Sequence, residues 1–255
     1  MLTQFNWTSA SRTDVGLVRE INEDACLDLP ARGIWAVADG MGGHAAGDVA
    51  SRMIVDALAA IVVPPNLAEL VAAARAELQR VNRKLRDEAA ARRVRTIGST
   101  VAALFASGSR CGLLWAGDSR VYLYRRAQLL QLTRDHSQVE ELKAQGYLSA
   151  EEAVAHPAHH LITRAVGAAD WLELDEHRVE INDGDMFLLC SDGLTNEVDE
   201  TGIVSALAGG DCWQATEALV DMALREGGRD NISAIVIRAD DPYAADKTLV
   251  NPAMA

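Results

Sequence analysis

An α+β fold built on antiparallel strands is predicted by two features of this 255-residue chain. Between Ser99 and Leu132 the apolar residues fall in short β-type runs broken by Gly, Ser, Asp and Arg, as consecutive antiparallel strands do. Elsewhere they follow a helical period in two pairs of segments, before residue 90 and after residue 199.

Taken in order, residues 5 to 30 read as two short strands joined by a turn, with Arg19, Glu23 and Asp24 close to the start of the second. Ile34 to Ala38 is an apolar run, expected to be a buried strand that stops at Asp39. Four glycines follow within Gly40 to Gly47, and Gly40, lacking a Cβ, allows close approach of its backbone to a ligand. From Ala46 to Ile61 the spacing is helical. Pro64-Pro65 ends that pattern, and Asn66 with Glu69 resembles an N-terminal cap for a long amphipathic helix whose stripe runs from Leu67 to Leu85. The β-type runs then cover 100–106, 111–116, 121–124 and 128–132, read as one meander. Residues 134–168 are the least regular and suggest a flap, with a short helix to Ala144, a capping box at Ser149 and Glu152, and His156, His159 and His160. Pro157 and the lack of a helical i, i+4 pair argue against a zinc site there. The sheet resumes near Glu180 and at 184–190, helices follow over 200–207 and 213–225, and a strand covers 232–237. No linker or repeat divides the chain, so residues 1–240 are expected to form one domain and 241–255 a loose tail.

Composition narrows the function classes. A formal charge of −13 disfavours nonspecific binding to nucleic acid or an anionic membrane. No apolar run approaches the roughly 18 residues of a membrane span, and the N-terminus lacks a signal pattern, so a cytoplasmic protein is expected. Cys26, Cys111, Cys190 and Cys212 are far apart without a CxxC pair and read as reduced thiols in the core. The glycosylation patterns at Asn6 and Asn231 are then chance matches.

Asp39, Asp118, Asp192 and Asp230 share one context, each abutting an apolar β run with a glycine or small residue beside it. One such aspartate is a turn residue; four at strand ends suggest a cluster. Two carboxylates about 4 Å apart repel by roughly 4 kcal/mol at the effective dielectric near a protein surface. Cations would relieve that repulsion, and an all-oxygen set of carboxylates and a backbone carbonyl suits Mg²⁺ or Mn²⁺. Two such ions activate a shared water and clamp an in-line displacement, which describes a phosphate-ester hydrolase.

The ordered series Arg19-x-x-Asn22-Glu23-Asp24, Ala38-Asp39-Gly40-Met41-Gly42-Gly43-His44, Gly117-Asp118-Ser119-Arg120, Asp135-His136-Ser137, Ser191-Asp192-Gly193-Leu194 and Arg229-Asp230-Asn231 resembles the metal-dependent protein serine/threonine phosphatases, the PPM or type-2C group, in compact bacterial form. The resemblance covers residues 6 to 238. It implies a four-layer α-β-β-α fold, a central antiparallel β-sandwich flanked by helices. It also implies hydrolysis of phosphoserine and phosphothreonine in proteins, with two Mn²⁺ or Mg²⁺ ions and a weaker third. On this basis Asp39 bridges two metals, the Gly40 carbonyl serves one, and Asp192 and Asp230 the other. Asp118 and Asp192 hold the third, Glu23 acts through a metal-held water supported by Asp24, and Arg19 binds the substrate phosphate. Met41 stands where many eukaryotic members carry a histidine proposed as general acid; His44 is near in sequence, and the acid is unassigned. The implied partners are phosphorylated proteins, including a serine/threonine kinase or its substrates, met by a monomer. The flap at 134–168 is expected to contribute to substrate choice and to the third metal. A non-catalytic phosphoprotein-binding relative is the main alternative. A dinucleotide site at Gly40-x-Gly42-x-x-Ala45 is disfavoured, because Asp39 would face a pyrophosphate and Pro64-Pro65 occupies the place of the second strand.

Overall fold

The computed structural model describes residues 5–42, 46–149, 152–153, 156–158 and 161–244. Among these residues, eleven strands and six α-helices follow in chain order, with a short 3-10 turn at Pro30–Arg32 between the second and third strands. They are β1 (Asn6–Asp14), β2 (Asp24–Leu29), β3 (Ile34–Met41), α1 (Gly47–Ala59), α2 (Leu67–Arg92), β4 (Gly98–Ser99), β5 (Val101–Ser107), β6 (Arg110–Ala116), β7 (Arg120–Arg125), β8 (Gln128–Gln131), α3 (Gln138–Ala144), β9 (Asp175–Glu180), β10 (Asp185–Cys190), α4 (Asp192–Thr195), α5 (Glu200–Leu207), α6 (Cys212–Glu226) and β11 (Ile232–Asp240). One antiparallel sheet runs β1-β11-β10-β7-β8 and the other β2-β3-β5-β6-β9, with β4 pairing β3.

The two sheets stack face to face, and helices cover both outer faces. Alternation along each strand decides which side chain faces which layer. On β3, Ile34, Ala36 and Ala38 pack outward with Ile54 and Leu58 of α1 and Leu78 and Leu85 of α2. Trp35 and Val37 point the other way, into the layer between the sheets, where they meet Leu104, Leu113, Phe187 and Ile235. The second sheet turns Leu188, Cys190, Ala234 and Val236 outward onto α5 and α6. The expected four-layer sandwich is therefore the observed one, and its inner strands β3, β5, β6 and β10 are apolar on both faces because both faces are covered. Trp7, Trp35 and Phe187 brace the middle layer, with ring centroids 5.1 Å apart for the first pair and 6.5 Å for Trp7 and Phe187.

Three expectations need correction. The runs from 100 to 132 form two hairpins instead of one meander: β5 pairs β6 in one sheet and β7 pairs β8 in the other. Gly117-Asp118-Ser119 therefore crosses between the sheets, which the doubly buried strand β6 requires, since each of its faces belongs to a different core layer. Strand β3 also continues through Asp39 to Met41, because β4 supplies partners for Gly40 and Met41. The α2 helix runs two turns past Leu85, the last residue of the predicted stripe, with Ala89 still buried, and is capped by Arg93 in the left-handed region. Its start is as expected, with the Asn66 side chain accepting the Glu69 N–H at 2.9 Å.

The flap's described residues are tied down at both ends. Ser137 bridges Ile162, Ser99 bridges Val166, and the Ser149–Glu152 capping box forms through both of its hydrogen bonds. His159, His160 and the tail beyond Ala244 lie outside the described residues. The four cysteines are free, three buried and Cys26 half-buried. No helix among the described residues is long and apolar enough to cross a membrane.

Trp35 is fully buried and joins the middle layer to the Ser9 hydroxyl through its indole N–H at 3.2 Å. Trp35→Ala is expected to cost about 3–5 kcal/mol, most of what a domain this size has to spare. A lowered urea midpoint at unchanged slope checks it.

Candidate active site

One end of the sandwich is where its middle layer turns from apolar to acidic. Asp39 lies two and four residues beyond Val37 and Trp35, so it faces the same inter-sheet layer. Register pairs it with Asp24 on β2. From the other sheet, Ser191 and Ser233 hold the equivalent inward positions beyond Leu189 and before Ile235. The Ser191 hydroxyl donates to Asp24 Oδ2 at 2.8 Å and accepts the Ser233 N–H at 3.0 Å, which locks the two sheets together at their mouth. Asp192 opens the short helix α4 directly after β10, Asp230 precedes β11, and Asp118 sits in the crossover after β6.

Asp39, Asp118 and Asp230 are held through their backbone surroundings. Thr100 donates its N–H to the Asp39 carbonyl at 2.9 Å, accepts the Asp39 N–H on Oγ1 at 3.0 Å, and shares a 2.7 Å hydrogen bond with Ser119 beside Asp118. His136 grips Gly117 twice, accepting its N–H on Nδ1 at 3.2 Å and donating its own backbone N–H to the Gly117 carbonyl at 2.9 Å. Asp135 holds Arg120 through two guanidinium nitrogens, at 3.0 and 2.7 Å. Asn231 accepts the Glu23 N–H at 2.8 Å and donates to the Val15 and Ile21 carbonyls at 2.9 and 3.0 Å, fastening the β1–β2 loop to the Asp230 turn. Gly40 is needed for a reason other than ligand approach: a Cβ there would meet the Gly47 carbonyl at 2.0 Å and the Glu23 carbonyl at 2.6 Å.

The electrostatics follow from this packing. Burial, then the charges of Asp24, Asp192, Asp118 and Asp230, pushes the Asp39 carboxyl well above the usual range. Asp24, pushed up to about 7, owes this to burial and to Asp192 and Asp230, against the opposing hydrogen bonds from serine. Asp118 rises to about 7 through burial and its neighbours Asp192 and Asp135. Glu23 is raised too, by burial first, while the Gly47 N–H donates to its Oε1 at 3.0 Å and resists the shift. Asp24 Oδ1 and Asp48 Oδ1 are buried with no hydrogen-bond partner.

An anionic cluster of this kind, with orphaned buried oxygens and only oxygen donors, fits hard divalent cations. Among the described residues no three Asp, Glu, His or Cys side chains close into a single tight ligand set. Both Asp230 oxygens are engaged elsewhere, Oδ2 by Arg19 at 2.7 Å and Oδ1 by the Asn231 N–H at 2.8 Å. A Mg²⁺-like ion that keeps several waters needs only one or two carboxylates at a time.

The pattern for "Protein phosphatase 2C" matches residues 18–233. The chain belongs to the protein phosphatase 2C family. It is 39% identical over 231 residues to the serine/threonine protein phosphatase PstP of Mycobacterium tuberculosis, covering 89% of this chain and 44% of that protein. The chain thus spans less than half the length of that relative, whereas it covers 93% of the serine/threonine phosphatase stp of Listeria welshimeri, with 37% identity over 235 residues and 89% of this chain. Among solved structures, PppA, described as a regulatory component of T6SS in Pseudomonas aeruginosa, superposes with a TM-score of 0.85 at 45% identity, covering 91% of this chain and 97% of PppA. The PstP catalytic domain in complex with two manganese ions gives a TM-score of 0.82 at 36% identity, covering 93% of this chain and all of that domain.

Against this family frame, the fold brings Glu23, Asp24, Asp39, Asp118, Asp192 and Asp230 into one electrostatic cluster. Arg19 joins it through Asp230. His44 lies outside the described residues. Asp48, absent from the sequence-derived set, adds a negative charge beside Glu23. Nothing in the sequence marks it, since an acid in the first turn of a helix is ordinary. Ser191, Asn231 and His136 stand inside the family motifs, yet their supporting roles become visible only with the hydrogen bonds.

The raised carboxyls predict proton-coupled metal binding. Cations bind the ionised form, and Asp118 near 7 is partly protonated at neutral pH, so Mn²⁺ binding releases protons and weakens as pH falls from 8 to 6. The loss approaches about tenfold per pH unit for each proton released. Calorimetric titration in buffers of different ionisation enthalpy reads the proton count.

Proposed function

We propose that this chain hydrolyses phosphoserine and phosphothreonine in proteins. The reading is carried by the carboxylates that the two sheets bring together at the sandwich mouth, where burial and mutual repulsion raise them. Asp39, the Gly40 carbonyl, Asp192 and Asp230 would hold two Mn²⁺ or Mg²⁺ ions, with Asp118 and Asp192 serving a weaker third. Bound there, such ions lower the pKa of water toward neutrality and neutralise phosphoryl oxygens.

The chain's own side chains do the rest. Arg19, more than half exposed at the rim, offers a planar fork of donors suited to phosphate, and its present partner Asp230 is a carboxylate of similar geometry. Glu23 is fixed by the Gly47 N–H so that its free oxygen can hold a water at the mouth. Asp24 anchors the sheets through Ser191 and keeps Oδ1 open for a proton or a donor. Thr100 sets the backbone on which Asp39 is presented.

A groove of about 680 Å³ lies away from these residues, between α2 and the segment up to Arg178, and contains none of the carboxylates. Chemistry at a rim, remote from such a groove, suits a phosphorylated side chain carried on a protein surface. Residues 1–240 act as one catalytic domain, and the segment 134–168 shapes substrate choice. The chain works as a cytoplasmic monomer on phosphoproteins that include a serine/threonine kinase or its substrates.

The test is turnover of a phosphothreonine peptide with Mn²⁺, Mg²⁺ and chelator side by side. Undiminished hydrolysis after metal removal refutes the reading; binding without turnover assigns the chain to a phosphoprotein-binding role. Asp39→Asn is expected to lower Mn²⁺ affinity and kcat together by more than about 100-fold, beyond the loss typical of an outer hydrogen-bond partner, with the circular dichroism unchanged.

A further inference from the structure

The loop from Val15 to Ile21 joins β1 to β2 and carries Arg19 near its centre. Around that arginine stand three large apolar side chains turned to solvent: Leu17 is 68% exposed, Val18 65% and Ile21 48%. Single exposed apolar residues on a loose loop mean little. This loop is fastened. Asn231 holds the Val15 and Ile21 carbonyls, the Leu17 N–H donates to the Gly228 carbonyl at 2.7 Å, and Asp14 Oδ1 accepts the Gly16 N–H at 2.9 Å. Gly16, at φ +78°, lies so close to the Asp230 backbone that a Cβ would fall 2.2 Å from its carbonyl oxygen. The apolar side chains are thus displayed from a backbone tied directly to the acidic site, and preorganised display of this kind lowers the entropic cost of binding.

We infer that Leu17, Val18 and Ile21 form a ledge that docks apolar side chains one or two residues from the phosphorylated residue of a protein substrate. The inference rests on the reading of Arg19 as the phosphate ligand. Consecutive Cα atoms are about 3.8 Å apart, so Leu17, Val18 and Ile21 lie no more than about 8 Å along the chain from Arg19, a span comparable to that between a phosphoresidue and the peptide residues one or two removed from it. Glu20 beside Arg19 and the net charge of −13 oppose acidic flanks, while the side chains the loop itself presents on either side of Arg19 are Leu17, Val18 and Ile21, whose contact surface suits apolar flanks. A second copy of the chain is a poor occupant, because three side chains fall far short of the roughly 800 Å² per partner of a stable interface.

The test uses the full chain with Mn²⁺ and phosphothreonine peptides identical except for Leu and Val, or Ser, at the two positions on each side. Apolar flanks are expected to raise kcat/KM by about tenfold, mainly through KM. In Leu17→Ser/Val18→Ser/Ile21→Ser the ratio between the two peptides should fall toward one, with circular dichroism verifying the fold. Val18→Ser alone serves where the triple variant does not fold, and should lower the ratio in part. Equal kcat/KM for both peptides in the parent chain, or a ratio untouched by the substitutions, overturns the inference and leaves the phosphatase reading intact. So does a parent chain that sediments as a dimer and becomes monomeric on Val18→Ser. No turnover of any peptide overturns both.

Discussion

Repulsion among carboxylates gathered at one end of the sandwich is the constraint on which the site depends. Asp24 and Asp39 face each other across a β-pair, and Asp118, Asp192 and Asp230 arrive from three separate turns. Left to itself, such a set would splay. Four of these acids are held by neighbours on fixed backbone: Thr100 fixes Asp39, Ser191 and Ser233 fix Asp24, His136 fixes the turn of Asp118, and Asn231 fixes that of Asp230. Hydrogen-bonded serine, threonine and asparagine thus convert the rigidity of two sheets into a fixed pattern of negative charge.

The same arrangement explains why the middle layer ends where it does. Trp35, Val37, Phe187, Leu189 and Ile235 fill the space between the sheets, and the next inward positions are Asp39, Ser191 and Ser233. Polar side chains there would be unfavourable in the layer's interior, where nothing could satisfy them. At its open end they find one another across the gap, so the boundary of the core and the location of the site are one feature.

Much of this was legible in the residues themselves. The strand and helix pattern was readable because coverage on both faces makes the inner strands β3, β5, β6 and β10 nearly continuous apolar runs while helices keep a single stripe. The crossover at Gly117-Asp118-Ser119 was not readable, since a hairpin and a sheet-to-sheet crossing both look like a polar turn between apolar runs. The sequence marks Asp39 as an acid at the end of an apolar run, but its place inside β3 depends on β4, a two-residue strand with no sequence signal of its own. Gly40 stands out in the sequence for want of a Cβ, and in the fold the atoms that exclude one are the Gly47 and Glu23 carbonyls. The Arg19–Asp230 pair joins residues 211 positions apart, a separation that no local pattern spans.

That pair also bears on how an acidic chain handles an anionic group. Arg19 supplies positive charge to Asp230, and a divalent cation held beside it would answer the same field. An arginine on a fastened loop at the rim can exchange a carboxylate for a phosphate of similar geometry without moving its backbone, since the donors lie at the end of a long side chain. The backbone's rigidity and the side chain's reach are therefore complementary demands. Asn231 meets the first by clamping Val15 and Ile21, and the guanidinium meets the second, so the loop between β1 and β2 belongs to the site as fully as the strand ends do.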